Sequence, residues 1–103
     1  MVEVVKSATF DRWLRRLKDR RAVARVLVRV DRLAAGNAGD AKPVGHGVSE
    51  LRIDYGPGYR VYYLREGERL ILLLTGGDKS SQQTDIQLAH QIAADWRTEE
   101  GAD

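Results

Sequence analysis

The sequence predicts an α+β fold of order β-α-α-β-β-β-α: an antiparallel sheet packed against an N-terminal helix pair, with a C-terminal helix. Three observations carry this expectation. Apolar residues recur at helical spacing in two stretches before residue 35. Between Glu50 and Leu64 they alternate with polar residues at a period of two. A third apolar stretch, after Ser80, returns to helical spacing.

Each element follows in order. "VEVV" has the β-branched content of a short first strand. Phe10, Trp13, Leu14 and Leu17 then fall at i, i+3, i+4 and i+7, with Ser7 or Thr9 as the cap and Asp11 suited to the helix dipole. "KDRR" is a polar joint. Val23, Val26, Leu27, Val30 and Leu33 form the stripe of a second helix, which "AAGNAGD" ends. "KPVGHG" reads as a loop. Leu51, Ile53 and Tyr55 alternate with Glu50, Arg52 and Asp54, and after Gly56-Pro57-Gly58 the strand resumes through Tyr59, Val61 and Tyr63. "RLILLLT" is apolar on both faces and is placed centrally. "GGDKSS" breaks it, and Ser80 or Ser81 caps a last helix carrying Ile86, Ala89, Ala93 and Trp96.

A chain of 103 residues supports one domain, read here as residues 1–103 with a flexible acidic tail from about residue 97. No apolar run approaches the length of a membrane span, and "MVEVVKS" lacks the layout of a secretory signal. With no cysteine there are no disulfides or thiolate metal sites, and a cytoplasmic location is expected. His46 and His90 lie far apart in sequence and no carboxylates cluster at ligand spacing, so neither a metal nor a cofactor is expected. "TGGDKSS" lacks the early glycine of a phosphate-binding loop. The net charge is only +2, but arginine outnumbers lysine thirteen to four and crowds residues 12–32. The planar guanidinium fork favours phosphate or carboxylate partners.

With Gly56–Gly58 as a three-residue loop, Tyr55 faces Tyr59 and Asp54 faces Arg60 in a cross-strand ion pair. One hairpin face then holds Leu51, Ile53, Val61 and Tyr63, the core side. The other gathers Glu50, Arg52, Asp54, Arg60 and Tyr62, with Ile71 and Leu73 of the next strand expected beside it. Two uses of that face are open: a solvated sheet surface, or a cationic groove. Lys79, the only lysine after Lys42, returns near the sheet's end, and Arg52, Arg60 and Lys79 then converge on one phosphate.

"ELRIDYGPGYRVYY" followed by "LLLTGGDKSSQQTDIQLA", after "FDRWLRRLKDRRA", resembles the RelE/ParE superfamily of toxins from type II toxin–antitoxin modules, nearest its HigB-like branch of addiction-module killer proteins. The resemblance runs from about Phe10 to Trp96. It implies a RelE-like single domain and a metal-independent endoribonuclease, an mRNA interferase and thus a hydrolase, acting on mRNA in the ribosomal A site to inhibit translation. It further implies a cognate helix-turn-helix antitoxin, a toxin–antitoxin complex on operator DNA, and no membrane partner. Arg60 matches the arginine that contacts the scissile phosphate; Arg52 and Lys79 stand where relatives carry further cations. These three are the expected catalytic residues, and with Tyr62, read as a base-stacking group, the expected RNA-binding set.

The substrate's 2′-hydroxyl is the nucleophile in such chemistry, so the protein supplies positioning and cations. Relatives place a tyrosine or histidine near the C-terminal end, where this chain has Asp85 and Ile86, so the acid and base stay open, with Glu50 and Asp54 as candidate bases. Two other readings fit the scaffold: a ParE-like inhibitor of DNA gyrase, and an inactive toxin homologue that acts only by binding.

Overall fold

Ser7 starts the first helix and ties it to the sheet. Its hydroxyl accepts the Phe10 amide at 3.0 Å and donates to the Leu74 carbonyl at 2.6 Å. The computed structural model describes residues 2–101. These form β1 (Glu3–Lys6), α1 (Ala8–Arg16), α2 (Arg20–Ala34), β2 (Ala41–Gly45), β3 (Val48–Ile53), β4 (Tyr59–Glu66), β5 (Leu70–Asp78), a 3-10 turn (Lys79–Ser81) and α3 (Gln82–Gly101). The α+β class and the order of its main elements are as the sequence predicts.

Three local readings need correction. "KPVGHG" is not a loop: it contributes most of β2, an edge strand, which turns into β3 through Gly45, His46 and Gly47 at φ of 95°, 56° and 75°. Pro43 is tolerated there because an edge strand leaves one row of amides unpaired. The sheet is mixed, not antiparallel throughout; its order is β1-β5-β4-β3-β2, and β1 runs parallel to β5 with Glu3 beside Leu70. The cap before the last helix is Asp78, not Ser80 or Ser81: its carboxylate accepts the Ser80 amide at 2.8 Å, one 3-10 turn upstream of α3. Of the acidic tail expected from residue 97, Arg97–Gly101 continue α3, and the last two residues lie outside the described ones.

The helices cover opposite faces of the sheet. On one, Phe10 of α1 and Val26, Val30 and Leu33 of α2 pack on Leu51, Ile53, Val61, Tyr63, Ile71 and Leu73. On the other, Ala89 and Ala93 of α3 pack on Val48, Tyr62, Leu64, Leu72 and Leu74. Ile71 and Leu73 therefore lie on the face away from the arginines. A bulge at Leu74 resets the alternation, since Tyr62 pairs with Thr75 but Tyr63 with Leu73. On α2, Ala22 is buried where Leu27 was expected, and Leu27 is exposed.

Burial on both faces explains the near-continuous apolar run of β5. Its last part is shaped for close approach. A Cβ on Gly76 would meet the Trp13 ring at 2.3 Å, so only glycine lets that ring lie on the strand.

Candidate functional site

The tip of the β3–β4 hairpin builds the site, and its register differs from the expected one by two residues. Ile53 pairs with Tyr59, Arg52 with Arg60, Leu51 with Val61 and Glu50 with Tyr62. The loop is thus Asp54–Gly58, five residues rather than three. Tyr55 is drawn out of the sheet: its hydroxyl donates to Asp19 at 2.9 Å, and the Arg25 guanidinium lies 4.6 Å over its ring. A shift of two keeps every side chain on its own face, so the core residues are those expected. It removes the Asp54–Arg60 pair, however, and sets two arginines directly opposite each other.

Like charges across a ladder repel, and this pair stands because of Glu50. Its side chain is 0 % exposed. Oε1 lies 3.3 Å from Arg52 Nε and 3.6 Å from Arg60 Nε. Oε2 accepts the Tyr62 hydroxyl at 3.0 Å and Gln82 Nε2, from the first turn of α3, at 2.8 Å. One buried carboxylate thus serves both guanidinium stems: it accepts hydrogen bonds from Arg52, Tyr62 and Gln82, while the buried Arg60 Nε stands at ion-pair distance with no hydrogen-bond partner of its own. Such a group is an anchor and not the base that the sequence allowed. Only its place among alternating polar residues, two before Arg52, could have marked it.

Arg52, Arg60 and Lys79 line one pocket of about 280 Å³, together with Ile53, Gly58 and two carboxylates, Asp40 and Asp54. Gly58 marks the meeting point, because a Cβ there would stand 3.5 Å from both Arg60 Nη1 and Lys79 Cβ. Arg60 is held by the Gly58 carbonyl at 3.1 Å, and Lys79 by the capped 3-10 turn. The arginine side chains are 12 % and 35 % exposed for Arg60 and Arg52 respectively, so their charges are partly shielded from water. Arg29 of α2 braces this end of β3 by donating to the carbonyls of Arg52, Ala38 and Asp40.

Tyr62 does not join them. It is fully buried beneath α3, and burial together with the Glu50 charge pushes its phenol pKa up, keeping the proton that Glu50 accepts. A ring in the core cannot stack on a base. Its expected RNA contact is corrected to support of Glu50. The two histidines, distant in sequence, meet with rings 4.4 Å apart where the β2–β3 turn touches α3, and His90 Nε2 lies 2.9 Å from the Val44 carbonyl. Among the described residues, no group of three or more His, Asp or Glu side chains is placed to hold a metal.

Asp85 lies over Gly77, the residue paired with Arg60; a Cβ on Gly77 would reach 1.8 Å from Asp85 Oδ2. Burial raises the Asp85 pKa above its ordinary 3.8, the Ser81 hydroxyl donating at 2.5 Å opposes this, and the Asp78 charge adds to it. The folded chain therefore keeps this proton to higher pH than the unfolded chain. The stability this contributes is complete below the ordinary value and is lost as pH rises through the raised one. Asp85→Asn is expected to flatten that decline and to melt no lower than the parent at pH 7. Thermal melts between pH 4 and pH 7 check it; a lower midpoint for the variant at pH 7 would count against the assignment.

An α+β domain with a hairpin-tip pocket lined by three cations and fastened by a buried carboxylate is the class defined so far. Residues 12–95 match the family model described as "Phage derived protein Gp49-like (DUF891)". An uncharacterized protein of Haemophilus influenzae (strain KW20 / Rd) is 48% identical over 92 residues, which cover 89% of this chain and 93% of that protein. The chain belongs to the Gp49-like family, a RelE-like toxin family of toxin–antitoxin modules.

Proposed function

We propose that this protein is a HigB-like toxin that cleaves mRNA at the ribosome and so blocks translation, acting in the cytoplasm until a helix-turn-helix antitoxin neutralises it. The pair would bind operator DNA. The observation that carries this reading is the shared pocket of Arg52, Arg60 and Lys79. Cleavage of RNA by its own 2′-hydroxyl forms a bond from that oxygen to phosphorus and breaks the bond to the leaving 5′-oxygen. Negative charge grows on the phosphoryl oxygens and the leaving group, where preorganised cations stabilise it most. Arg52 and Arg60 grip the phosphate, the 2′-hydroxyl proton passes to water, and Lys79 gives a proton to the departing 5′-oxygen. The ribosome supplies the in-line alignment that a shallow pocket does not.

A second reading has one observation in its favour. No histidine or tyrosine is among the residues that line the pocket, which leaves Asp40, Asp54 and Lys79 as its proton-transfer groups; a wall without imidazole or phenol suits a ParE-like protein that binds gyrase and cuts nothing. Primer extension on cellular mRNA after induction, run beside a gyrase supercoiling assay, separates them. New 5′ ends inside translated messages with supercoiling intact are expected. Inhibited supercoiling without such ends would overturn the ribonuclease reading.

A further inference from the structure

We infer that the groove between α2 and the tip of β3 is the docking site for an acidic amphipathic segment of the antitoxin, and that its occupant closes off the neighbouring cationic pocket. The inference rests on the toxin–antitoxin reading above. The groove has a volume of about 490 Å³. Arg25, Arg29 and Arg32 line it at the i, i+4 and i+7 positions of one helix face, around an aliphatic floor of Ala24 and Val28.

Two features fit a protein segment. Val28 is 47 % exposed, and among the described residues no arginine of α2 forms an ion pair with a carboxylate. Arg29 spends its hydrogen bonds on carbonyl groups and Arg25 lies on the Tyr55 ring, so both are held in place with their charges unmatched. A segment with a carboxylate row beside a small apolar ridge complements this surface in charge and shape. RNA is the poorer fit, because no aromatic side chain lines the groove as a platform for bases.

Position explains how binding would silence the toxin. Ile53 and Asp54 line both the groove and the pocket of Arg52, Arg60 and Lys79. An occupant of the first therefore runs along the wall of the second, and one further carboxylate reaches the cations. Inhibition needs no change in the hairpin.

The test uses the whole toxin and the product of the gene beside its own. Val28→Glu with Arg32→Glu changes two exposed positions. The double variant is expected to arrest growth when expressed alone, to bind the neighbouring protein about tenfold more weakly or worse, and to escape rescue by it. Retained growth arrest reports that the variant is folded. Should it be lost, Arg32→Gln alone is measured for the same weakening of binding. Unchanged binding by the variants overturns the docking site while leaving the toxin reading intact. A neighbour that never binds the parent protein counts against the toxin–antitoxin reading itself. Weakened RNA binding with antitoxin binding unchanged also overturns the inference, and hands the groove to nucleic acid.

Discussion

Arg60→Ala is expected to abolish growth arrest and to lower mRNA cleavage by about 10²–10³-fold, the usual cost of deleting one preorganised charge stabiliser. The fold should survive, because Glu50 keeps Arg52, Tyr62 and Gln82 when Arg60 is removed. Arg60 also donates a hydrogen bond to the Gly58 carbonyl, beside its ion pair with Glu50, so its loss also loosens the tip beside Lys79. Arg60→Lys tells charge from shape: an ammonium keeps the positive charge but loses the fork that reaches Glu50, Gly58 and a phosphate together. It is expected to recover part of the activity. Cleavage assays on translating ribosomes, with melting curves alongside, read both effects. Full toxicity of the alanine variant would remove Arg60 from the chemistry.

Glu50→Ala should have the largest effect on stability. It leaves two guanidinium groups facing each other without their shared counter-charge, and it orphans the Tyr62 hydroxyl beneath α3. Breaking a buried ion pair from one side costs about 3–5 kcal/mol. For a domain of this size each kcal/mol moves the melting temperature by roughly 4–8 °C, so a fall of about 12 °C or more is expected. Glu50→Gln keeps an acceptor for Tyr62 and Gln82 and should be milder in melting, yet it no longer neutralises the arginines. Activity should therefore fall further than the melting curve would suggest. Equal melting of all three proteins would show that Glu50 does not hold the site.

What was legible in the sequence was parity. Leu51, Ile53, Val61 and Tyr63 could be assigned to the core because a two-residue error in register leaves each side chain on its face. Which residues face each other was not legible. Gly56-Pro57-Gly58 has the look of a complete turn, whereas the five-residue loop depends on Tyr55 meeting Asp19 and Arg25, contacts made across the fold. Tyr62 was misplaced for a similar reason: alternation marks it as facing away from the first core but says nothing of the helix that covers it there. Edge strand β2 was hidden by its proline and glycines, which ordinarily announce a loop. Arg52, Arg60 and Lys79 were singled out together because strand parity and one returning lysine suffice to bring them near. Glu50, which holds the two arginines, is marked only by its place two residues before Arg52 on the same strand face, which says nothing of its burial under α3.

The parallel pairing of β1 with β5 bears on when the molecule becomes complete. Ser7 and Leu74, which hydrogen-bond at this seam, are 67 residues apart, and closing so long a loop is slow relative to forming hairpins. During synthesis the first strand emerges long before its neighbour exists. Lys79 follows that neighbour, and Gln82, which holds Glu50, comes later still. The cationic pocket can assemble only after most of the chain has been synthesised, so on the ribonuclease reading proposed above a nascent copy spares the machine that is making it.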